Sequence, residues 1–251
     1  KVLYVDGSKK ILEHGVLVME YLPGHAMDYH TELMLAAPCL ADIHSVPIPE
    51  SEEILIHPQN PLKAILEECE EMFKVYLESP LGDGEKKTYI RELLDLGWKR
   101  EAEIQLESGY QCCINTELNS TNLLINGEGK SNYLIDWEKP LFGNPAQDLG
   151  HFLAPTTTFW KTDVILTSEE IEKFIDAYIK AVGNRFKTDM IREHTHAFIP
   201  ITCLRGIIWC AMAWVQYQQP DKLIFNESTF KKLNAYLDMD FLKNIRGYLE
   251  P

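Results

Sequence analysis

Apolar residues recur at helical spacing in three long stretches of the chain. In residues 62–77 they return every three or four positions and acidic residues fill most of the opposite face, which predicts an amphipathic helix. Residues 171–182 have the same period and follow Thr167-Ser168-Glu169-Glu170, a sequence typical of a helix N-terminal capping box. Residues 201–217 are apolar on all sides, so this helix is expected in the middle of the core.

The rest of the pattern predicts shorter helices and little strand. Further helices are expected at residues 31–45, from about 87 to 96 with more helix after Gly97, and within residues 230–249. Short apolar runs predict strands at residues 2–4 and 16–21. Two more runs, 123–125 and 133–135, flank Asn126-Gly127, and an Asn-Gly pair between such runs is typical of a β-hairpin. The pattern therefore predicts an α+β protein that is mainly helical, with a hairpin inserted.

The charge and cysteine content argue against several classes of function. Lys and Arg number 24 and Asp and Glu 38, a formal charge of −14, and so acidic a surface repels nucleic acids. The six cysteines form no Cys-x-x-Cys pair, which argues against a zinc ribbon and favours reduced thiols in a cytoplasmic protein. No signal peptide is visible, and the longest apolar run, residues 199–217, contains Arg205, so we expect a buried helix rather than a membrane span. The sequence does not indicate the oligomeric state.

The residues with recognisable chemistry lie in and around the predicted hairpin. Glu117 precedes Asn122 by five positions, and Asp136 directly follows the second strand. The hairpin would bring Asn122 and Asp136 to one end. Amide and carboxylate oxygens are suitable ligands for the Mg²⁺ that phosphoryl transfer requires, and a second carboxylate can accept or orient the proton of an attacking hydroxyl. The spacing therefore points to phosphoryl transfer.

Four segments in the same order resemble the aminoglycoside phosphotransferase and choline kinase superfamily, whose members are distant relatives of protein kinases. Residues 115–125 resemble the catalytic loop, and Ile135-Asp136-Trp137-Glu138 matches the metal-binding segment. Residues 143–149 resemble a Gly-Asp-Pro-x-x-Asp-Leu segment, in which the second Asp, here Asp148, braces the catalytic loop. Residues 15–24 resemble the last strand of the N-lobe and the hinge.

The resemblance implies a protein-kinase-like fold and a nucleotide site. Residues 1–22 would be the end of the N-lobe sheet and the hinge, and residues 23–251 a helical C-lobe with the catalytic and metal-binding loops. The implied cofactors are ATP and Mg²⁺, with Asn122 and Asp136 as metal ligands and Glu117 as the catalytic base. The implied nucleotide contacts are Glu20, Tyr21, Leu22, Leu124 and Ile135. The acceptor would be a hydroxyl of a small molecule. A cationic compound such as an aminoglycoside or choline is one candidate, and other metabolites stay open.

Two departures from the family pattern leave a second function open. The usual His-Gly-Asp is replaced by Asn115-Thr116-Glu117, and the extra methylene of Glu moves the carboxylate by roughly 1.5 Å. The phosphate-covering loop, Lys and Glu of a kinase N-lobe are also not found in the chain, which starts at Lys1, and we expect an upstream segment to supply them. The alternative is a degenerate relative, a pseudokinase that binds nucleotide or a partner without turnover. An α/β hydrolase is disfavoured because no Gly-x-Ser-x-Gly motif is present.

Several prominent side chains are expected to be structural. Trp209, Trp214 and Tyr217 fit the core, although aromatic residues can also surround a quaternary ammonium group. His44 and His151 are expected to be packed in the interior. His194 and His196 do not face each other on a helix, so we interpret them as surface or capping residues rather than metal ligands.

Overall fold

The structure is a computed structural model that describes residues 1–48, 55–106, 109–219 and 225–250. Its helices are α1 (Leu33–His44), α2 (Pro61–Glu78), α3 (Gly84–Glu103), α4 (Pro145–Leu153), α5 (Pro155–Thr162), α6 (Ser168–Val182), α7 (Ile191–Tyr217), α8 (Glu227–Tyr236) and α9 (Met239–Leu249). Its strands are β1 (Val2–Asp6), β2 (Val16–Met19), β3 (His25–Ala26), β4 (Cys112–Ile114), β5 (Leu123–Ile125), β6 (Tyr133–Leu134) and β7 (Leu141–Gly143). The mainly helical α+β architecture predicted from the sequence is confirmed.

The long apolar helix α7 is the centre of the helical domain. It packs most extensively against α2 and α4, and most of its residues between Ile191 and Val215 are buried. Helix α7 is long and apolar enough to cross a membrane by length and composition alone, and 72% of its most apolar 18-residue window is buried inside the protein. A helix that is apolar all round belongs in such an environment, because every face finds a packing partner.

Helix α3 differs from its prediction because it runs without interruption through Gly97. A Cβ added at Gly97 would lie 2.3 Å from Leu204 Cδ1 and 3.1 Å from Leu66 Cδ2. The missing side chain therefore leaves room for Leu204 of α7 and Leu66 of α2 to approach the α3 backbone. The glycine serves helix packing here and does not end the helix.

The predicted capping box at the start of α6 is present. Thr167 Oγ1 accepts a hydrogen bond from the Glu170 backbone N–H at 3.2 Å, and Glu170 Oε2 accepts one from the Thr167 N–H at 2.7 Å. These bonds satisfy two backbone donors that the helix itself cannot pair. The buried face of α6 packs against α1, which is the helix that ends at His44.

Replacing Thr167 by Ala should destabilise the protein without changing the site. Loss of the Thr167 cap is expected to lower the free energy of unfolding by about 1 kcal/mol. Urea denaturation of the variant beside Ser168→Ala, which removes a hydroxyl from the next residue, measures this difference. Equal stability of Thr167→Ala and the wild type would contradict a stabilising cap.

The strands form three small sheets. Strands β1 and β2 pair antiparallel with each other, and their large apolar side chains, such as Val5 and Leu17, are exposed. Strand β2 ends at Met19, two residues earlier than predicted. The predicted hairpin is confirmed as β5 and β6, and β3 adds to it as a third strand, while β4 pairs with β7. The division of the chain into lobes at residue 22 stays a prediction.

Candidate active site

The β5–β6 hairpin carries the two predicted metal ligands to the same end of the sheet. Leu123 is paired with Leu134, and the Ile135 N–H donates to the Asn122 carbonyl at 2.9 Å. Asn122 therefore lies opposite Ile135, and Asp136 is the next residue along the chain. The closeness that the sequence predicted for Asn122 and Asp136 follows from this register.

The two apolar residues predicted to contact the nucleotide share one face of the hairpin. Leu123 and Leu134 are buried in the core, and side chains alternate along a strand, so Leu124 and Ile135 point to the opposite face. Both are half-buried. The face that they form is a small apolar surface beside Asn122.

The predicted hinge runs past this surface. An added Cβ at Gly24 would lie 3.0 Å from Leu124 Cβ, and Asn126 Nδ2 donates to the Pro23 carbonyl at 3.0 Å. Glu20, Tyr21 and Leu22 precede this contact directly; Tyr21 is 87% exposed, and Leu22 is half-buried. The structure thus brings the hinge segment close to Leu124, and the roles of Glu20, Tyr21 and Leu22 in nucleotide binding stay predictions.

A buried carboxylate holds the catalytic loop in place. Asp148 Oδ2 accepts from the Asn115 N–H at 2.8 Å, and Asp148 Oδ1 accepts from the Thr116 N–H at 2.7 Å. The same carboxylate lies 3.2 Å from His44 Nε2, and His44 Nδ1 lies 2.8 Å from the Tyr178 hydroxyl. All of these side chains except Thr116 are fully or nearly fully buried. The loop is therefore tied to α1, α4 and α6, and Asp148 and His44 have the structural positions that the sequence predicted.

Each residue that departs from the usual His-Gly-Asp contacts the segment around Asp136, the predicted metal ligand. Asn115 Nδ2 donates to the Asp136 carbonyl at 2.8 Å, and Thr116 Oγ1 donates to the Lys139 carbonyl at 3.0 Å. Glu117 Oε1 forms an ion pair with Lys139 Nζ at 3.2 Å. The three side chains therefore join the catalytic loop to residues 136–139.

Two residues of this arrangement have left-handed backbone conformations. Thr116 has φ 69° and Asp136 has φ 64°. This region is tolerated by Asp but is unusual for a β-branched residue such as Thr. The usual Gly would avoid the strain at position 116, but it has no hydroxyl to donate to Lys139.

Asn122 and Asp136 have oxygens available for a cation. Asn122 Nδ2 donates to the Glu117 carbonyl at 3.1 Å, and this hydrogen bond fixes the orientation of the amide. The Asn122 Oδ1 can then coordinate a metal ion. The Asp136 side chain is exposed. Within the described ranges no group of three or more His, Cys, Asp and Glu residues could hold a metal ion. Two oxygen ligands suit Mg²⁺, which is usually bound by one or two protein groups together with substrate phosphates and water.

A cavity of about 570 Å³ opens beside Glu117, in the size range of small-molecule sites. The ring centroids of Trp160 on α5 and Trp209 on α7 lie 5.5 Å apart at 87° and form one wall. Glu68 and Arg205 also line the cavity, and Glu68 accepts from Arg205 Nε at 2.8 Å. The structure therefore places an aromatic wall and a charged pair next to the predicted base.

Trp209 and Trp160 are the residues that the sequence analysis missed. Trp209 was expected in the core, but it is 40% exposed because this turn of α7 faces the cavity. Trp160 was not singled out: it follows Thr156-Thr157-Thr158 and Phe159, and so short a pattern does not identify a helix face. The expectation for His194 was also wrong: it is buried, and its Nδ1 lies 2.9 Å from Asn144 Nδ2.

His151 contributes a neutral group to the cavity wall. Burial and the nearby Arg205 guanidinium lower the pKa of His151 to about 4, against the opposing effect of Asp148 and Glu117. At neutral pH its imidazole is therefore uncharged. The cations that approach the Glu117 carboxylate are instead Lys139 and Arg205, whose Nη2 lies 3.9 Å from Glu117 Oε1.

Solved structures with the same fold come from phosphotransferases. The chain matches a putative aminoglycoside phosphotransferase from Ralstonia eutropha with a TM-score of 0.71 and 12% identity. The match covers 99% of this chain and 77% of that one. It matches an ethanolamine kinase from Plasmodium vivax with a TM-score of 0.62 and 16% identity, over 97% of this chain and 68% of that one. A spectinomycin phosphotransferase in complex with ADP and spectinomycin matches with a TM-score of 0.59 and 16% identity, over 93% of this chain and 70% of that one. At these identities the likeness shows the fold, which is kinase-like, as predicted.

The family itself is shown by the sequence. Among curated proteins no match was found. The sequence profile of the phosphotransferase enzyme family, which includes the aminoglycoside phosphotransferases, matches residues 1–193, well over half of the chain. The expectation of a small-molecule phosphotransferase is confirmed at this level: the chain belongs to the phosphotransferase enzyme family.

Proposed function

We propose that the chain transfers the γ-phosphoryl group of ATP to a hydroxyl of a small molecule. The observation that carries the proposal is the connected arrangement of Glu117, Asn122 and Asp136. Asn122 donates to the Glu117 carbonyl, and Asn115 donates to the Asp136 carbonyl while its Oδ1 accepts from the Glu117 N–H at 3.1 Å. The predicted base and both predicted metal ligands are thus fixed relative to one another, as transfer in line between two oxygens requires.

Glu117 is the group that receives the acceptor's proton. The acceptor oxygen forms a bond to the γ-phosphorus while the bond from that phosphorus to the bridging oxygen of ADP breaks, and ADP leaves with the electron pair. The hydroxyl proton moves to the Glu117 carboxylate and from there to solvent. The side chain is about a quarter exposed and lines the cavity beside Trp209, so it can reach an acceptor bound there.

Asn122 and Asp136 would hold Mg²⁺ through Oδ1 of the amide and the exposed carboxylate. When bound, the ion neutralises charge on the β- and γ-phosphates. The apolar face of Leu124 and Ile135, close to Gly24 at the end of the hinge segment, would accept the adenine. A phosphotransferase with this fold has been solved with ADP, which supports nucleotide use.

A second candidate function is nucleotide binding without turnover. Two observations favour it. Residue 117 is Glu rather than the usual Asp, and Lys139 and Arg205 both approach the carboxylate that must accept a proton. In that case the chain would bind Mg-ATP as tightly as an enzyme does but would release no ADP in the presence of any hydroxyl compound. Substitution at position 117 separates the two candidates, as argued in the Discussion.

Removal of the metal tests the nucleotide site directly. Calorimetric titration of the purified chain with ATP and Mg²⁺ should show saturable binding, and EDTA should weaken it at least tenfold because the two oxygen ligands then face the phosphates without a cation. The matched control is AMP, which has no β- or γ-phosphate and should lose little affinity with EDTA. Binding of ATP that is equally tight with and without Mg²⁺ would count against the proposed roles of Asn122 and Asp136.

A further inference from the structure

The cavity beside Glu117 already contains two cations of the protein. Lys139 Nζ lies 3.2 Å and Arg205 Nη2 lies 3.9 Å from Glu117 Oε1. An acceptor must place its reacting hydroxyl at this same carboxylate. If the acceptor carried an ammonium group one or two carbons from that hydroxyl, the ammonium would lie close to both cations, and like charges at such distances repel.

The second carboxylate of the cavity, that of Glu68, is also ion-paired. Glu68 binds Arg205 through both of its oxygens, at 2.8 Å to Nε and 3.2 Å to Nη2. The Arg205 side chain is 22% exposed and that of Glu68 is 47% exposed, so the pair is partly shielded on the side of Arg205. A third acid at the cavity, Glu138, is exposed to solvent, where salt screens its attraction for a cation. The acids that could bind a cationic acceptor are therefore either neutralised or screened.

The aromatic wall fits an uncharged ring better than an ammonium group. Trp160 and Trp209 meet nearly at a right angle and form a corner. Lys161 Nζ lies 5.4 Å from the Trp160 ring, within the distance of a cation–π contact, so the protein's own cation uses one face of this indole. Tyr236 and the methionines Met72 and Met212 extend the apolar surface of the cavity.

We propose that the acceptor is an uncharged hydroxyl compound whose ring or apolar face packs against Trp160 and Trp209. This inference rests on the proposed function and names its substrate class. A cationic acceptor would lose its hydration without gaining a carboxylate that is both unpaired and shielded from solvent, which makes its burial unfavourable. An uncharged acceptor leaves the pair between Glu68 and Arg205 intact and gains apolar contact with the indoles.

Pairs of compounds with the same shape and different charge test the inference. Choline is compared with 3,3-dimethylbutan-1-ol, its uncharged carbon analogue, and methyl 2-amino-2-deoxyglucoside with methyl glucoside. ADP release in the presence of Mg-ATP gives kcat/KM for each compound. The uncharged member of at least one pair should have a kcat/KM at least tenfold higher than its cationic counterpart.

Replacing Arg205 should change this preference. In Arg205→Met the carboxylates of Glu68 and Glu117 lose their shared cation, so the ratio of cationic to uncharged kcat/KM should rise at least tenfold. Arg192→Met is the matched control on the same helix: Arg192 pairs with Glu172 and Asp176 outside the cavity, and its loss should leave the ratio unchanged. If Arg205→Met does not fold, Glu68→Gln replaces it, and this variant should lower the ratio because Arg205 then lacks its partner.

The outcomes separate the inference from the proposed function. Three results would overturn the uncharged acceptor class. The first is a higher kcat/KM for the cationic compound in both pairs, and the second is a ratio of cationic to uncharged kcat/KM that the folded cavity variant does not change. The third is no turnover of any of the four compounds. Mg-ATP binding and transfer could still hold in the first two cases. A loss of the proposed function itself would show as ATP binding that is independent of Mg²⁺ and of Asp136.

Discussion

Asp136→Asn will remove turnover almost completely while leaving the fold intact. The substitution keeps the size of the side chain, and Asn tolerates the left-handed backbone conformation at φ 64°, so no new strain is introduced. The Asn115 bond to the residue 136 carbonyl is also preserved, because it involves only the backbone of Asp136. What disappears is one negative charge at the proposed metal site. We expect kcat to fall on the order of 100- to 1,000-fold, the usual cost of losing one group that stabilises the transition state.

The control for Asp136→Asn is Asp163→Asn. Asp163 also has a positive φ, 60°, but it lies at the end of α5 and pairs with Lys232. Steady-state rates of ADP release and Mg-dependent ATP binding should be close to wild type in this control. If Asp136→Asn behaves like the control in both measurements, Asp136 is not a metal ligand.

Glu117→Gln will lower kcat by roughly 100- to 10,000-fold, because the amide cannot accept the proton of the hydroxyl. Mg-ATP affinity should be unchanged, since the Asn122 contact uses the Glu117 backbone carbonyl rather than its side chain. This combination, with chemistry lost and nucleotide binding kept, is the result expected of a catalytic base. A wild-type rate that is already zero would instead support the nucleotide-binding protein without turnover.

Glu117→Asp restores the acid usual in the family and yet should reduce kcat. The shorter side chain would withdraw from Lys139, which now holds the carboxylate at 3.2 Å, and a displacement of about 1 Å can cost on the order of 100-fold in rate. A large increase in rate would contradict this expectation and would indicate a damaged enzyme site.

The contact between Glu117 and Lys139 can be tested by a double-mutant cycle. If Lys139 positions the longer acid, Lys139→Met will reduce kcat strongly in the wild type and much less in Glu117→Asp. Lys173→Met is the matched control, because Lys173 is an exposed residue of α6 that pairs with Glu169. Equal losses in both backgrounds would mean that Lys139 acts independently of residue 117.

Local patterns predicted the hairpin and its chemistry, because the signals there are short in range. The turn at Asn126-Gly127 and the apolar runs beside it determine the pairing of β5 with β6, and this pairing alone brings Asn122 next to Asp136. The helix at residues 171–182 was predictable for the same reason, since its capping box lies within one turn.

The contacts of Asn115, Thr116 and Glu117 with residues 136–139 could not be predicted from the sequence. They join side chains to groups more than 20 residues away, and their geometry depends on how two loops are packed by the buried Asp148. The cavity was also hidden, because it forms only where α2, α5, α7 and the catalytic loop come together. An apolar helix pattern shows that a helix is surrounded, but it does not show which turn faces an opening, and so Trp209 was assigned to the core.

The burial of Asp148 has a consequence for amide hydrogen exchange. The N–H groups of Asn115 and Thr116 donate to a carboxylate that has no exposed surface and that also contacts His44. Exchange at these two amides requires the loop to break its hydrogen bonds to Asp148, so we expect them to be among the slowly exchanging amides of the protein. The amides of β1 and β2 lie in an exposed two-stranded ribbon and should exchange far sooner. The catalytic loop would then retain its shape for as long as the protein stays folded.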